Sequence, residues 1–305
     1  MLQRRVFIAG AYLMNGGAHM SYHIGRILHD YFHLSVYATG VPRPVDSCFQ
    51  YSLEFPIISN EELEKTITHE DILVSTGGLS AMMYGPRLPG KKLCYVQGVN
   101  TYQVLDSFFD QYVFTTEFVR KYANRYFGVD GPIIPPFIDT SVFQGGKPWE
   151  ERKDEIVVLA FKPIVKTLLP LVGRKMANRC PNVQVKAFEK LSQKQMADIL
   201  GQAKYYLSLS PMEGFGLPIL EAMGSGCAAT GFEAFGGKDF IVHKQNALVT
   251  NYPDIDAVAE NLVFAITNPD RAREIAAQGF QTSRNFSSER FDQQWCGILE
   301  DLLQA

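Results

Sequence analysis

The residues with the clearest chemical potential lie in one stretch, Ser208-Leu209-Ser210-Pro211-Met212-Glu213-Gly214-Phe215-Gly216-Leu217-Pro218-Ile219-Leu220-Glu221-Ala222-Met223-Gly224-Ser225-Gly226. Its pattern predicts a strand ending at Ser208, a glycine-rich turn, and a helix from Leu217 with Pro218 in the first turn. Glu213 then sits in the turn and Glu221 about one helical turn inside, so both can face the same space. A carboxylate has two acceptor oxygens and can take both hydroxyls of a ribose diol. The first amides of the helix lack internal partners, and with the helix dipole they form an anion site. The stretch is therefore suited to a phosphorylated sugar or nucleotide.

Other residues can join it. In Phe161-Lys162-Pro163-Ile164-Val165-Lys166-Thr167, two lysines four apart open a Pro-initiated helix and can stabilise negative charge on a departing diphosphate. Near the N-terminus, Asn15-Gly16-Gly17-Ala18-His19 has small residues that let a loop approach a ligand, and His19 can face it. Gln97 and Asn100 follow a predicted strand at its carboxyl end and can offer polar contacts. Asp254-Ile255-Asp256 has the form of a metal-binding pair but reads as a helix start, so no metal ligand is expected.

These residues need a scaffold, and the pattern supplies one. Nearly continuous apolar runs at Val6–Leu13, Leu34–Thr39, Ile72–Thr76, Leu93–Val96, Tyr112–Thr115 and Ile133–Ile134 suit strands covered on both faces. In the second half, Ile156–Phe161, Val183–Phe188, Tyr205–Ser208, Cys227–Gly231 and Ala247–Thr250 repeat the theme. Helical periodicity lies between them, as at His19–Tyr31, Glu117–Phe127 and Lys166–Arg179. The alternation predicts two doubly wound, Rossmann-like α/β domains. The prolines at 135–136 and the Gly-Gly-Lys-Pro at 145–148 read as linker chemistry, which sets the domains at residues 1–145 and 146–305. Ligands in such sheets bind beyond the carboxyl ends of the strands, so a cleft between the domains is the expected site.

Composition narrows the class. Hydrophobic residues make up 46% and charged residues 20% of 305, as in a soluble globular protein. A net charge of −3 gives no general nucleic-acid footprint. The five cysteines, Cys48, Cys94, Cys180, Cys227 and Cys296, are widely spaced and form no CxxC pair, which fits a reducing, cytoplasmic setting. The apolar run after the two N-terminal arginines reads as a buried first strand rather than a signal peptide. No basic amphipathic helix marks a membrane-docking surface.

The segment Glu213-Gly214-Phe215-Gly216-Leu217, followed by Glu221-Ala222-Met223 and Gly226, resembles the E-x7-E signature of the retaining GT-B glycosyltransferases of family GT4. Weaker likeness extends to Gly16-Gly17, to Pro135–Phe143 and to Asn246-Ala247-Leu248-Val249. The resemblance implies a GT-B fold and transfer of a sugar from a UDP- or GDP-linked donor to a hydroxyl acceptor, with retention and without a metal or other cofactor. It implies that Glu221 holds the ribose and Glu213 the donor sugar. The backbone of Gly214, Phe215, Gly216 and Leu217 would then approach the sugar and phosphates, with Gly16 and Gly17 near the donor. It also implies that the last helix, 288–305, crosses back to the first domain. A glycan or glycolipid acceptor, as in bacterial polysaccharide synthesis, follows by analogy and leaves peripheral association with the inner membrane face open. Two departures stand out. Members usually carry an arginine and a lysine where Lys162 and Lys166 stand, and a histidine near Gln97 that this chain lacks. The alternatives are a nucleotide-sugar epimerase on a similar fold and a non-catalytic sugar-binding subunit.

Overall fold

The structure is a computed structural model of the whole chain, and the residues it describes are 4–12, 15–40, 49, 51–75, 87–99 and 109–304. The chain divides into two units, Met1–Pro136 with Glu289–Ala305, and Phe137–Ser288.

In the first unit the strands are β1 (Arg5–Ala9), β2 (Ser35–Thr39), β3 (Ile72–Ser75), β4 (Lys91–Val96) and β5 (Gln111–Phe114). They pair in the order β2-β1-β3-β4-β5, and every pairing is parallel. Among the described residues the helices before the last one are α1 (Gly16–Asp30), α2 (Asn60–Thr66) and α3 (Glu117–Phe127). α2 is too short and polar to show a periodic signal, and Ser59 starts it by accepting from the Glu62 amide. β1 is shorter than the apolar run suggests, because Gly10 turns to a φ of 72° immediately after it.

In the second unit the strands are β6 (Lys153–Leu159), β7 (Gln184–Phe188), β8 (Ala203–Ser208), β9 (Ala228–Phe232) and β10 (Leu248–Thr250). Their order is β10-β9-β8-β6-β7, again wholly parallel. The helices are α4 (Pro163–Met176), α5 (Gln193–Leu200), α6 (Leu217–Gly224), α7 (Ile255–Thr267) and α8 (Pro269–Ser283). Alternation along the central strands divides the core between the two faces. Ile156, Val158, Tyr205 and Leu207 pack with α4 and α7 on one side. Val157, Tyr206 and Ala229 pack with α5 and α6 on the other. Counted from its own first strand, each sheet has the order 2-1-3-4-5, and the chain reverses direction of growth between the first and third strands.

The boundary falls at Pro136/Phe137 rather than near residue 145. The Gly-Gly-Lys-Pro at 145–148 reads as linker, but it belongs with residues 137–144 to the second unit. Ile138 and Phe143 are buried in it. Gly146, at a φ of 72°, lies against the backbone of Gly201, where a Cβ would meet the Gly201 Cα at 2.3 Å. The glycines here serve close packing, not a flexible join. The buried Arg152 side chain fastens the same stretch by donating to the carbonyls of Gly145, Lys147, Ala203, Ser225 and Gly226.

The last helix, α9 (Ser288–Gln304), joins the first unit and buries Phe291, Trp295, Leu299 and Leu302 along one stripe. Trp295 is fully buried edge-on to Tyr95, with ring centroids 5.1 Å apart. Arg26 of α1 forms an ion pair with Asp292, and Lys91 donates to the Leu302 carbonyl at 2.9 Å. No helix among the described residues is long and apolar enough to cross a membrane.

Candidate functional site

The switch point of the second sheet lies between β6 and β8, where crossovers leave in opposite directions and a crevice opens at the carboxyl ends. Two chain segments emerge there. Phe161 and Lys162 follow β6, and Leu209 to Gly216 follow β8. The topology therefore brings Lys162 to the turn that carries Glu213. The Lys162 ammonium donates to Glu213 Oε1 at 2.5 Å and to Ser210 Oγ at 3.0 Å. All three residues line one pocket, which Tyr206, Pro218 and Ile219 also line. An ammonium has three N–H donors, so two positioned acceptors fix the direction of the third.

Gly216 starts α6 in the left-handed region, at φ 103° and ψ 41°, with Pro218 in the first turn and no side-chain cap. The Ile219 and Leu220 amides both point back to the Gly216 carbonyl. The Leu217 amide, at the very start, has no intrahelical acceptor by construction. The second glutamate, Glu221, is half-buried in this helix. Burial pushes its carboxyl up to about 8. Tyr206 of β8 lines the same pocket as Glu213. Burial first, then the charges of Glu221 and Glu213, hold its phenol well above the ordinary value.

Not every expected residue joins this group. Lys166 pairs with Glu189 at 2.6 Å, and both side chains are largely exposed. Spacing of four predicts a shared helix face, but Lys162 is the N-cap of α4, at φ −83° and ψ 137°, and lies outside the helical row. Phe215 turns its ring away into the core, 5.1 Å from Phe240 and 5.5 Å from Phe286. Asp254 caps α7 by accepting from the Ala257 amide, and Asp256 forms an ion pair with Lys175.

The remaining expected residues belong to the first unit. Asn15 caps α1 through the Ala18 amide at 2.9 Å, which puts Gly16 and Gly17 in its first turn after β1. Gln97, after β4, donates to the Gly17 carbonyl at 3.0 Å. A Cβ on Gly17 would meet Gln97 Oε1 at 2.0 Å, so a side chain at 17 would push the Gln97 amide off this carbonyl. His19 is buried in an aromatic group, stacked on Phe49 at 4.1 Å and edge-on to His23 at 4.6 Å. Asn100 lies outside the described residues.

Two residues of the pocket had no role in the sequence reading. Ser210 stood inside the quoted stretch, but only the fold turns its hydroxyl to Lys162. Tyr206 looked like one more apolar residue of a buried strand.

The second unit's switch-point geometry coincides with a family match. Residues 172–282 match the family of glycosyl transferases, group 1. Among curated relatives, the UDP-N-acetylglucosamine--peptide N-acetylglucosaminyltransferase GtfA subunit of Streptococcus parasanguinis is 26% identical over 163 residues. That stretch is 49% of this chain and 32% of the relative, so the chain spans about a third of the relative's length. Among solved structures, a sucrose-phosphate synthase from Thermosynechococcus elongatus superposes with a TM-score of 0.72. That likeness covers 99% of this chain and 100% of the other at 14% identity. The pneumococcal O-GlcNAc transferase GtfA in complex with UDP and GlcNAc gives a TM-score of 0.55 at 18% identity, covering 80% of this chain and 60% of the other. At these identities the structural likeness is one of fold: two parallel-sheet α/β domains, as in GT-B glycosyltransferases.

Proposed function

We propose that this chain is a retaining glycosyltransferase of the GT4 type, moving a sugar from a nucleoside-diphosphate donor to a hydroxyl acceptor. The observation that carries this reading is the meeting of Lys162, Ser210 and Glu213 at the start of α6, with Glu221 one turn further along. Lys162 and the α6 amides take the diphosphate, Glu221 takes the ribose hydroxyls and Glu213 orients the donor sugar. Lys166, one helical turn beyond, adds positive potential when it leaves Glu189. The group 1 match over 172–282 supports the reading. A uridine donor is the first to test, because the pneumococcal GtfA structure holds UDP. The acceptor is a glycan or glycolipid, and the enzyme works in the cytoplasm, with Gly16, Gly17, His19, Gln97 and Asn100 on the sugar and acceptor side.

Retention follows from the charge distribution. An inverting enzyme needs a general base behind the anomeric carbon. A front-face route needs none: as the bond from the anomeric carbon to phosphate oxygen breaks, that oxygen accepts the acceptor's proton and the acceptor oxygen bonds to the same face. Negative charge grows on the diphosphate, where Lys162 and the helix start favour it. Proton NMR of the fresh product from a donor of known configuration tests this, and an inverted anomeric coupling would overturn it. The positive groups also stand where a divalent ion would otherwise act. Turnover should therefore persist in EDTA; loss of turnover restored by magnesium or manganese would contradict the assignment.

Glu221 gives a binding prediction with a pH signature. Glu221→Ala should weaken the nucleoside diphosphate by about 1.5–3 kcal/mol, the value of hydrogen bonds to a charged group. With its carboxyl near 8 in the free protein, a ribose that needs the carboxylate must displace a proton. Between pH 7 and 8.5 affinity should rise with pH and then level off, with proton release seen by calorimetry in buffers of different ionisation heat. Glu221→Gln should bind with no such release. A pH-independent wild type would sink this assignment.

A further inference from the structure

Glu213 sits in a turn, and the turn is held from outside its own sequence neighbourhood. After β9 the chain makes a second turn, Ala234-Phe235-Gly236-Gly237, which lies directly against Pro211–Gly214. The Phe235 amide donates to the Pro211 carbonyl at 3.2 Å, and the Gly236 amide donates to the Glu213 carbonyl at 3.0 Å. At Gly236 the two backbones touch: a Cβ there would lie 1.9 Å from the Gly214 oxygen and 2.6 Å from the Phe215 nitrogen. Both are backbone atoms and cannot swing aside. The second turn is itself anchored. Ala234 is buried beside the site turn and adopts a φ of 52°, uncommon for a residue with a side chain. The Gly237 amide donates to the Ala234 carbonyl, and Phe240 and Ile241, just beyond, are buried in the core that holds Phe215.

We propose that the Ala234–Gly237 turn is the positioning element for Glu213, and that Gly236 is its decisive residue. This inference rests on the glycosyltransferase reading above. Glu213 has one side-chain anchor pair at the pocket, Lys162 with Ser210 behind it, and one backbone anchor, Gly236. A carboxylate that orients a sugar must keep its place while Lys162 directs its third donor at the diphosphate, and the backbone anchor fixes the Glu213 main chain independently of that side-chain contact. A side chain at 236 pushes Gly214 away, and Glu213 moves with it. Gly237 is the natural control, since the close approach of a Cβ there is to the Ile241 Cδ1 at 2.7 Å, the far end of a flexible side chain, while Ile241 Cγ1 and Ala234 Cβ lie at ordinary contact distances of 3.6 and 3.7 Å.

The test uses the full chain and two readouts. Hydrogen exchange of the peptide covering 211–217 reports the anchor without reference to activity. It should speed up in Gly236→Ala and in Phe235→Pro, which removes one anchoring amide, but not in Phe235→Ala or Gly237→Ala. Hydrolysis of, or transfer from, a UDP-sugar reports the consequence. Gly236→Ala should lower kcat about 100-fold, the scale of a misplaced positioning group, with the affinity for UDP itself nearly kept. The double variant Gly236→Ala/Glu213→Gln should be no slower than Glu213→Gln alone, because one residue acts through the other. Additive losses, or unchanged exchange at 211–217, would overturn the proposal. If the wild-type chain turns over no nucleotide sugar, the functional reading fails, while the exchange measurement still decides whether Gly236 holds the Glu213 turn.

Discussion

Replacing Lys162 by alanine is expected to lower turnover about 100- to 1000-fold, the cost of removing one preorganised group from a developing anion. The acceptor KM should stay nearly unchanged. The expectation rests on how the ammonium is held. Glu213 and Ser210 fix two of its donors, and the Phe161 ring lies 5.6 Å from its nitrogen, so the cation is oriented before the donor arrives. Lys162→Arg should keep part of the turnover, since the guanidinium retains the charge but not the three-fold ammonium geometry between these acceptors. Lys166→Ala should do far less, because its present partner is the exposed Glu189 and such pairs are worth roughly 0–1 kcal/mol. Glu213→Gln carries the complementary signature. It releases Lys162 and removes a negative charge, so the affinity for UDP should hold or increase while turnover falls. Steady-state kinetics on the two lysine variants decides the matter; a Lys162→Ala enzyme as fast as the Lys166→Ala enzyme would remove Lys162 from the mechanism.

The largest effect on stability is expected at Arg152, which belongs to none of the sequence motifs. Its guanidinium is buried and, among the described residues, pairs with no carboxylate, and burial lowers its pKa without discharging it. Five backbone carbonyls surround it, from Gly145, Lys147, Ala203, Ser225 and Gly226. These come from the start of the second unit, from β8 and from the turn after α6, so one side chain joins three separate segments. Arg152→Met removes every donor and leaves buried acceptors unpaired, at about 1–3 kcal/mol for each that finds no new partner. A loss of roughly 3–5 kcal/mol for the second unit is the expected sum, equal to two or three acceptors left without a new partner. Arg152→Lys should fall between, because three donors cannot serve five acceptors. The chain has two tryptophans, Trp149 and Trp295, one in each unit. In a Trp295→Phe background, Trp149 fluorescence during urea unfolding reports the second unit alone. A shift below about 1 kcal/mol would show that the carbonyls are satisfied without the guanidinium.

Much of this protein was legible in its sequence because the signals concerned are local. Apolar runs covered on both faces fixed the parallel strands, and their alternation with helices fixed the two α/β sheets. The turn from Ser208 to Leu217 was readable because each of its features depends on neighbours within a few residues: a strand end, a glycine with positive φ, a proline in the first helical turn. Only the tertiary structure decided what these features meet. Local composition made residues 144–148 look like a linker, yet packing against Gly201 and the reach of Arg152 place them in the second core. Helical spacing put Lys162 and Lys166 on one face, yet the N-cap backbone sends Lys162 to Glu213 and leaves Lys166 with Glu189. Ser210, Tyr206 and Gly236 gained roles from strand order and from contact between two turns more than twenty residues apart. A sequence carries backbone preference and periodicity along the chain, whereas the meeting of β6 with β8, or of one turn with another, is set by how the whole sheet is ordered and packed.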